Sequence, residues 1–192
     1  MPSEVFNAKR ALRAEIRARR RIATATERER DAHGHTTQLI ELAKRLDAHS
    51  IAAYLSTEHE PSTRGFLAWA HAAGIRVLLP ISREDGLLDW AGYDGGTEEL
   101  DLLGMPTPTS ELLGPIAVND VDLIIVPASA IDRTGMRMGW GRGYFDRTLG
   151  SMAARPPVYA VVFDHEVLDE VPHDAQDERI DGVVTPTRII TF

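Results

Sequence analysis

Apolar and polar residues recur with two different periods along this 192-residue chain, and each period predicts one kind of element. A period near 3.6 over residues 4–22 and 26–48 predicts two amphipathic helices, which we expect to form an N-terminal hairpin. Ser3 is a suitable N-cap for the first helix. The stretch "TRGFLAWAHAAG" predicts another helix over 63–74, ended by its final glycine.

Short apolar runs predict the strands, at 50–56, 75–80, 87–93, 121–127, 158–163 and 182–192, the last as one strand or a pair. Runs such as "VDLIIVP" are typical of strands covered on both faces. Residues 104–115 are rich in proline, threonine and glycine and predict a loop. Strands that alternate with helices predict one α/β domain over residues 1–192, with a mainly parallel sheet flanked by helices. We expect its ligands at the carboxyl ends of the strands.

Charge is distributed unevenly. The net charge is -8, yet residues 1–30 carry nine basic and four acidic side chains. A targeting segment is disfavoured because Glu4 and Glu15 lie among the arginines. A nucleic-acid site is disfavoured because no aromatic residue is interleaved with the arginines and the rest of the chain is acidic. No apolar stretch reaches eighteen residues, so we expect no membrane partner. The chain has no cysteine, which is compatible with a reducing cytoplasm, the expected location.

The segment "GMRMGWGRGYFDR", residues 135–147, combines four glycines with three arginines. Glycine backbone lets successive N–H groups converge on an anion, and the helix predicted to start at Tyr144 adds its positive end. Asp146 beside such a phosphate site is typical of a bridging Mg²⁺. The spacing differs from the P-loop and from the dinucleotide fingerprint. A turn-forming loop with solvated arginines is the alternative.

The segment "VPASAIDRTGMRMGWGRGYFDRTL" resembles the signature of the 5-formyltetrahydrofolate cyclo-ligase family, V-P-x-x-x-x-D-x-x-G-x-R-x-G-x-G-x-G-Y-[YF]-D-R. Three other segments are similar to that family: "KRALR" at 9–13, "YLSTEHEPST" at 54–63 and "VPHDAQDERIDGVVT" at 171–185. The resemblance implies a fold like that of sugar-phosphate isomerases and CoA-transferases. It also implies ATP- and Mg²⁺-dependent closure of 5-formyltetrahydrofolate to 5,10-methenyltetrahydrofolate, through a phosphorylated formyl group, with release of ADP and phosphate.

The resemblance implies the site residues as well. ATP would contact the N-terminal segment and the glycine loop, at Lys9, Arg10, Ala11, Leu12, Arg13, Arg137, Met138, Gly139, Trp140, Gly141, Arg142, Gly143, Tyr144 and Phe145. Folate would contact Leu55, Glu60, Trp140, Gly141, Arg142, Gly143 and Tyr144. Arg137 and Tyr144 would be catalytic, and Asp146 and Asp181 would bind Mg²⁺. Lys9 and Arg13 are spaced i, i+4 and share one helix face.

Two other functions are open on this reasoning, a phosphosugar isomerase and a non-catalytic folate- or nucleotide-binding module. The isomerase would not need ATP, and the binding module would release no phosphate. We expect a monomer. Seven histidines are present, but His33 and His35 point to different sides of their helix, and we predict no catalytic or metal-binding histidine.

Overall fold

The computed structural model describes residues 3–175 and 177–192. In these residues the α-helices are α1 (Glu4–Arg21), α2 (Ala25–Arg45), α3 (Arg64–Ala72) and α4 (Tyr144–Ser151). The strands are β1 (Ser50–Ala52), β2 (Arg76–Ser82), β3 (Leu88–Gly92), β4 (Glu98–Leu100), β5 (Pro106–Pro108), β6 (Leu112–Leu113), β7 (Leu123–Pro127), β8 (Ala130–Asp132), β9 (Arg137–Met138), β10 (Val158–Val161), β11 (Val167–Leu168), β12 (Gly182–Val184) and β13 (Ile189–Thr191). Two 3-10 helices, Pro115–Asp120 and Asp164–Glu166, connect strands.

Eight strands form the central sheet, in the order β13-β12-β10-β7-β1-β2-β3-β6. The inner strands β12, β10, β7, β1 and β2 are parallel to one another. Antiparallel pairing occurs only towards the edges, where β13 pairs with β12 and the chain runs from β2 through β3 to β6. A small sheet, β11-β8-β9, lies beside it. The predicted α/β fold with a mainly parallel sheet is confirmed.

Alternate residues of the central strands face two different hydrophobic cores. In β7, Leu123 and Ile125 belong to the core under α2 and α3. Ile124 and Val126 belong to the core on the opposite face, which includes Leu149 of α4. All four side chains are almost fully buried. The continuous apolar run in this strand is therefore explained by burial on both faces.

The two N-terminal helices begin as the sequence predicts. The Ser3 hydroxyl caps α1 by accepting a hydrogen bond from the Phe6 N–H at 3.2 Å. Thr24 and Glu27 form a capping box at the start of α2. The helices then contact different parts of the protein: α1 packs through Ile16 on the small sheet, and α2 packs on α3 and β12. The predicted hairpin therefore consists of two consecutive helices whose apolar faces have separate partners.

Two predicted segments differ in detail. The C-terminal run is a pair of antiparallel strands, β12 and β13, which is one of the two predicted forms. The predicted loop at 104–115 contains the short strands β5 and β6, which pair with β4 and β3. The sequence does not reveal these strands, because each is only two or three residues long and β5 consists of proline and threonine. No helix in the described residues is long and apolar enough to span a membrane.

Candidate active site

A cavity of about 370 Å³ opens at the carboxyl ends of the parallel strands. Tyr54 and Leu55, which follow β1, form part of its wall, together with Ser82 at the end of β2 and Pro127 at the end of β7. The glycine loop and the first turn of α4 close another side, through residues 139–140 and 142–146. Strand ends in open α/β sheets leave such a crevice. The cavity thus lies at the edge of the sheet where the sequence predicts ligand binding.

Arg137 holds the glycine loop against this cavity. The side chain lies on β9 and is 2% exposed. Its Nη1 donates to the Pro127 carbonyl oxygen at 2.9 Å, and its Nη2 donates to Oδ1 of Asp146 at 2.6 Å. One guanidinium therefore connects the end of β7 to the first turn of α4. Gly143, the N-cap of α4, has a φ of 71°, a conformation that other residues rarely adopt.

Helix α1 brings three arginines to the same loop. Arg13 donates from Nε to the Gly139 carbonyl oxygen at 2.8 Å. The guanidinium carbons of Arg17 and Arg20 each lie 5.0 Å from the centre of the Trp140 ring. The spacing i, i+4, i+7 places all three arginines on one helix face. A cationic strip of α1 therefore faces the glycine loop, although the chain as a whole is acidic.

Arg20 is the most buried of these arginines, at 5% exposure. Its Nε and Nη2 donate to the two carboxylate oxygens of Glu166 at 2.7 and 2.8 Å, and Nη2 also donates to the Ala128 carbonyl oxygen. This two-pronged contact neutralises the guanidinium locally. Arg13 and Arg17, in contrast, have no carboxylate within salt-bridge distance among the described residues.

Lys9 does not reach the cavity, in contrast to the predicted role beside Arg13. Its Nζ lies 2.6 Å from Asp174 Oδ2 and 2.5 Å from Asp177 Oδ2. Burial acts to lower the pKa of Lys9, but hydrogen bonds to these two carboxylates outweigh it and the pKa is raised. The shared helix face was predicted correctly, but the segment after Val171 crosses that face at Lys9. Lys9 is therefore occupied in an ion pair, and Arg13 contacts the loop.

Two of the residues predicted to bind folate, Leu55 and Glu60, lie on the cavity wall that follows β1. Leu55 is buried at 3% exposure and borders the cavity. Glu60 is half-buried on the same wall, where its Oε2 accepts hydrogen bonds from the Thr57 N–H and hydroxyl at 2.8 and 2.9 Å. Tyr144 also borders the cavity, but its hydroxyl donates to the Arg83 carbonyl oxygen at 2.8 Å. A largely apolar wall that bears the carboxylates of Glu60 and Asp101 therefore borders the cavity together with the cationic loop.

Asp146 and Asp181 do not meet, so they do not form the predicted shared metal site. Asp146 borders the cavity. Asp181 precedes β12 at the amino end of the parallel strands, where its Oδ2 accepts from the Val158 N–H at 2.8 Å. The two carboxylates therefore lie at opposite ends of the sheet. Asp181 fixes the start of β10, and sequence order alone does not reveal at which end a residue flanking a strand lies.

The carboxylates at the cavity fit Mg²⁺ only if a bound ligand supplies further oxygen atoms to the ion. The described residues contain no group of three or more histidines, aspartates or glutamates that could hold a metal ion. Mg²⁺ at nucleotide sites is commonly bound by one or two carboxylates, with phosphate oxygens and water completing the octahedron. Asp146, one of whose oxygens is held by Arg137, suits that arrangement.

The other predicted residues are distributed as follows. Arg10 and Ala11 are exposed on α1, and Leu12 packs with Ile16 against the small sheet. Met138 is buried in the same cluster, and Gly141 lies next to the Arg13 guanidinium. Besides Arg137 and Asp146, the residues of the loop that border the cavity are Gly139, Trp140, Arg142, Gly143, Tyr144 and Phe145. The predicted loop residues therefore reach the cavity more completely than the predicted residues of α1.

The sequence reasoning missed Arg17, Arg20 and Tyr54, which all border the cavity. A signal for the arginines exists, because extending the Lys9 and Arg13 spacing by four residues reaches Arg17. No comparable signal exists for Tyr54, which looks like an ordinary core residue of an apolar strand.

Comparisons with known proteins identify the family of the chain. The model of the 5-formyltetrahydrofolate cyclo-ligase family matches residues 5–186. A 5-formyltetrahydrofolate cyclo-ligase of Mycolicibacterium smegmatis is 37% identical over 149 residues, covering 75% of this chain and 77% of that protein. The enzyme of the same name from Escherichia coli K12 is 28% identical, covering 91% of this chain and 98% of that protein.

A solved structure has the same fold. The NMR structure of Aquifex aeolicus 5,10-methenyltetrahydrofolate synthetase superposes with a TM-score of 0.79 at 24% identity, covering 95% of this chain and 92% of that one. The family match includes α1, the cavity wall at Tyr54–Glu60 and the whole glycine loop. The chain belongs to the 5-formyltetrahydrofolate cyclo-ligase family, enzymes that convert 5-formyltetrahydrofolate to 5,10-methenyltetrahydrofolate.

Proposed function

We propose that this enzyme couples the cyclisation of 5-formyltetrahydrofolate to the conversion of ATP into ADP and phosphate, with Mg²⁺ required. The observation that carries the proposal is the cavity of about 370 Å³, in which an apolar wall bearing Glu60 faces a glycine loop and arginines from α1. The apolar wall suits a flat heterocycle, and the cationic side suits phosphates. Residues 1–192 act as one functional unit in this proposal, since the sheet includes strands from Ser50 to Thr191.

The folate part of the proposal assigns the pterin ring to the wall formed by Leu55 and Glu60. The pterin edge presents two adjacent donors, the 2-amino group and N3–H, and a carboxylate is the natural acceptor for such a pair. Thr57 holds one oxygen of Glu60 in place, so the carboxylate is oriented before the ligand arrives. Trp140 and Tyr144 supply rings that border the cavity on the loop side.

The nucleotide part assigns the ATP phosphates to the glycine loop and to Arg13, Arg17 and Arg137. Backbone N–H groups ahead of α4 and the positive end of that helix favour an anion there. Arg13 and Arg17 retain unneutralised charge, whereas Lys9 is engaged by Asp174 and Asp177. Mg²⁺, held by Asp146 and the phosphates, would supply additional charge neutralisation for phosphoryl transfer.

The chemical steps follow from the reactivity of an amide. The N5-formyl oxygen is a poor leaving group, so it first attacks the γ-phosphorus of ATP, and the bond to the ADP oxygen breaks. The resulting iminium phosphate has an electrophilic carbon, which N10 attacks. N10 then loses its proton, the carbon–oxygen bond breaks and phosphate leaves. The protein contributes alignment and positive charge, chiefly from Arg137, rather than a nucleophile.

The test is to mix the protein with 5-formyltetrahydrofolate, ATP and Mg²⁺ and to follow methenyltetrahydrofolate by its absorbance. ADP and phosphate should each form in a one-to-one ratio to the product, and omission of ATP or chelation of Mg²⁺ should abolish the reaction. Product formation without ATP would contradict the coupling. Tight binding of both ligands without phosphate release would identify a binding module instead.

A further inference from the structure

Four buried polar atoms around the cavity have no hydrogen-bond partner in the described part of the chain. They are Tyr54 Oη, Arg20 Nη1, Trp140 Nε1 and Arg137 Nε. Buried polar groups in folded proteins are almost always paired, because an orphaned group loses its bonds to water without replacement. All four residues border the same cavity, whereas only two comparable orphans occur elsewhere in the described ranges. This concentration of unpaired donors indicates that a ligand completes them.

Tyr54 is the clearest case. Its side chain is 4% exposed, and its own carbonyl oxygen accepts a hydrogen bond from the Thr63 hydroxyl at 2.6 Å, which fixes the backbone. Its hydroxyl is buried beside the cavity and has no protein acceptor in the described ranges. Burial, and to a smaller extent the negative charge of Glu60, raises the pKa of Tyr54 well above its ordinary value. The group therefore remains a protonated hydroxyl at all physiological pH values.

The surroundings of Tyr54 favour a neutral acceptor. The charge of Arg20, which acts on Tyr54, is offset by the two-pronged contact with Glu166. An isolated phosphate would need unneutralised cations, but Arg13 and Arg17 are not among the charged groups of the described residues that act on the Tyr54 hydroxyl. A carbonyl oxygen matches a cluster of donors without net charge.

The pterin edge carries such an oxygen next to the two donors assigned to Glu60. Along this edge the 2-amino group and N3–H donate, and the 4-oxo oxygen accepts. Glu60 and Tyr54 line the same cavity, and the charge of Glu60 acts on the Tyr54 hydroxyl. A carboxylate and a hydroxyl that line one cavity can complement that order of donors and acceptor.

We propose that Tyr54 is a specificity-determining residue whose hydroxyl donates a hydrogen bond to the 4-oxo oxygen of the reduced pterin. This inference rests on the proposed assignment of the pterin ring to the wall bearing Glu60. It makes Tyr54 a residue that selects 4-oxo pterins, at the expense of leaving a hydroxyl unpaired when folate is absent.

The test compares Tyr54→Phe with Tyr159→Phe, a matched control. Tyr159 is equally buried at 4% exposure and belongs to the same core, but its hydroxyl is 2.8 Å from the Thr191 hydroxyl. Without ligand, Tyr54→Phe should leave the urea midpoint unchanged or raise it, because no protein hydrogen bond is lost, and Tyr159→Phe should lower it. Calorimetry should find 5-formyltetrahydrofolate bound about tenfold more weakly by Tyr54→Phe and normally by Tyr159→Phe.

A 4-deoxy analogue of 5-formyltetrahydrofolate identifies the atom involved. The ratio of the affinities for the 4-oxo and 4-deoxy ligands should be about tenfold higher in the wild type than in Tyr54→Phe. Any change in the ligand's contact with Glu60 cancels in this comparison, because both proteins retain Glu60. Equal preference in the two proteins would overturn the inference while leaving the proposed function intact if turnover is normal. A wild type that discriminates between the ligands but forms no product would instead contradict the proposed function alone.

Discussion

Replacement of Arg137 by lysine tests whether the guanidinium geometry, beyond its charge, organises the site. Arg137 is 2% exposed and donates through two different nitrogens to the Pro127 carbonyl oxygen and to Asp146. The lysine side chain is shorter and its ammonium group lacks this fork. It can therefore keep the contact with Asp146 but leaves the Pro127 carbonyl oxygen unpaired. An orphaned buried acceptor costs about 1–3 kcal/mol, so Arg137→Lys should lower the free energy of unfolding by about 2 kcal/mol.

The kinetic effect should exceed the effect on stability. In the proposed mechanism, the displaced cation would no longer lie where charge develops on the transferred phosphoryl group. Loss of one preorganised electrostatic element typically lowers kcat by about a hundredfold to a thousandfold. Urea unfolding and steady-state production of methenyltetrahydrofolate measure the two quantities separately. Arg133→Lys is the control, since Arg133 is exposed just ahead of β9 and does not border the cavity.

A stability change within about 0.5 kcal/mol, the range of an ordinary surface substitution, together with turnover within twofold of wild type would refute this reasoning. It would mean that β9 and α4 keep their positions without the fork and that another cation stabilises the transition state. A large kinetic loss shared by Arg133→Lys would also contradict it, because the effect would then not depend on the two contacts of Arg137.

The remaining predictions concern the metal, the N-terminal helix and pH. Asp146→Asn should lower kcat by at least about a hundredfold and raise the Mg²⁺ concentration required for half-maximal activity, whereas Asp181→Asn should reduce only stability. Equal changes in the Mg²⁺ requirement of the two variants would contradict this prediction. Lys9→Ala should lower the free energy of unfolding in urea by about 1–3 kcal/mol, because two partly exposed ion pairs are lost. The KM for ATP should stay within about twofold of the wild-type value. A larger rise in KM would indicate that Lys9 does contact the nucleotide. Burial lowers the pKa of His35, so the unfolded chain binds more protons at low pH, and stability should be full above about pH 6.5 and fall below it. In urea titrations at a series of pH values, the free energy of unfolding of His35→Gln should lack this pH dependence. The exposed control His33→Gln should retain it.

The local pattern of the chain determined most of the elements. Ser3 as an N-cap, Gly74 after α3 and the apolar run of β7 all act over a few residues, and each was correctly interpreted. Glycine spacing and a following helix start likewise predict an anion-binding loop from backbone geometry alone. In the structure this loop precedes α4 and borders the cavity.

Only the tertiary structure decided which side chains meet in the cavity. Arg20 and Glu166 are 146 residues apart, and Arg13 reaches a carbonyl 126 residues away. Lys9 is taken by carboxylates of the C-terminal segment, and Asp181 lies at the amino end of its strand. Helical spacing determines which residues share a face, but the partner of that face depends on how the whole sheet is assembled. For the same reason Tyr54 looks like core in the sequence, although its buried hydroxyl lies beside the cavity.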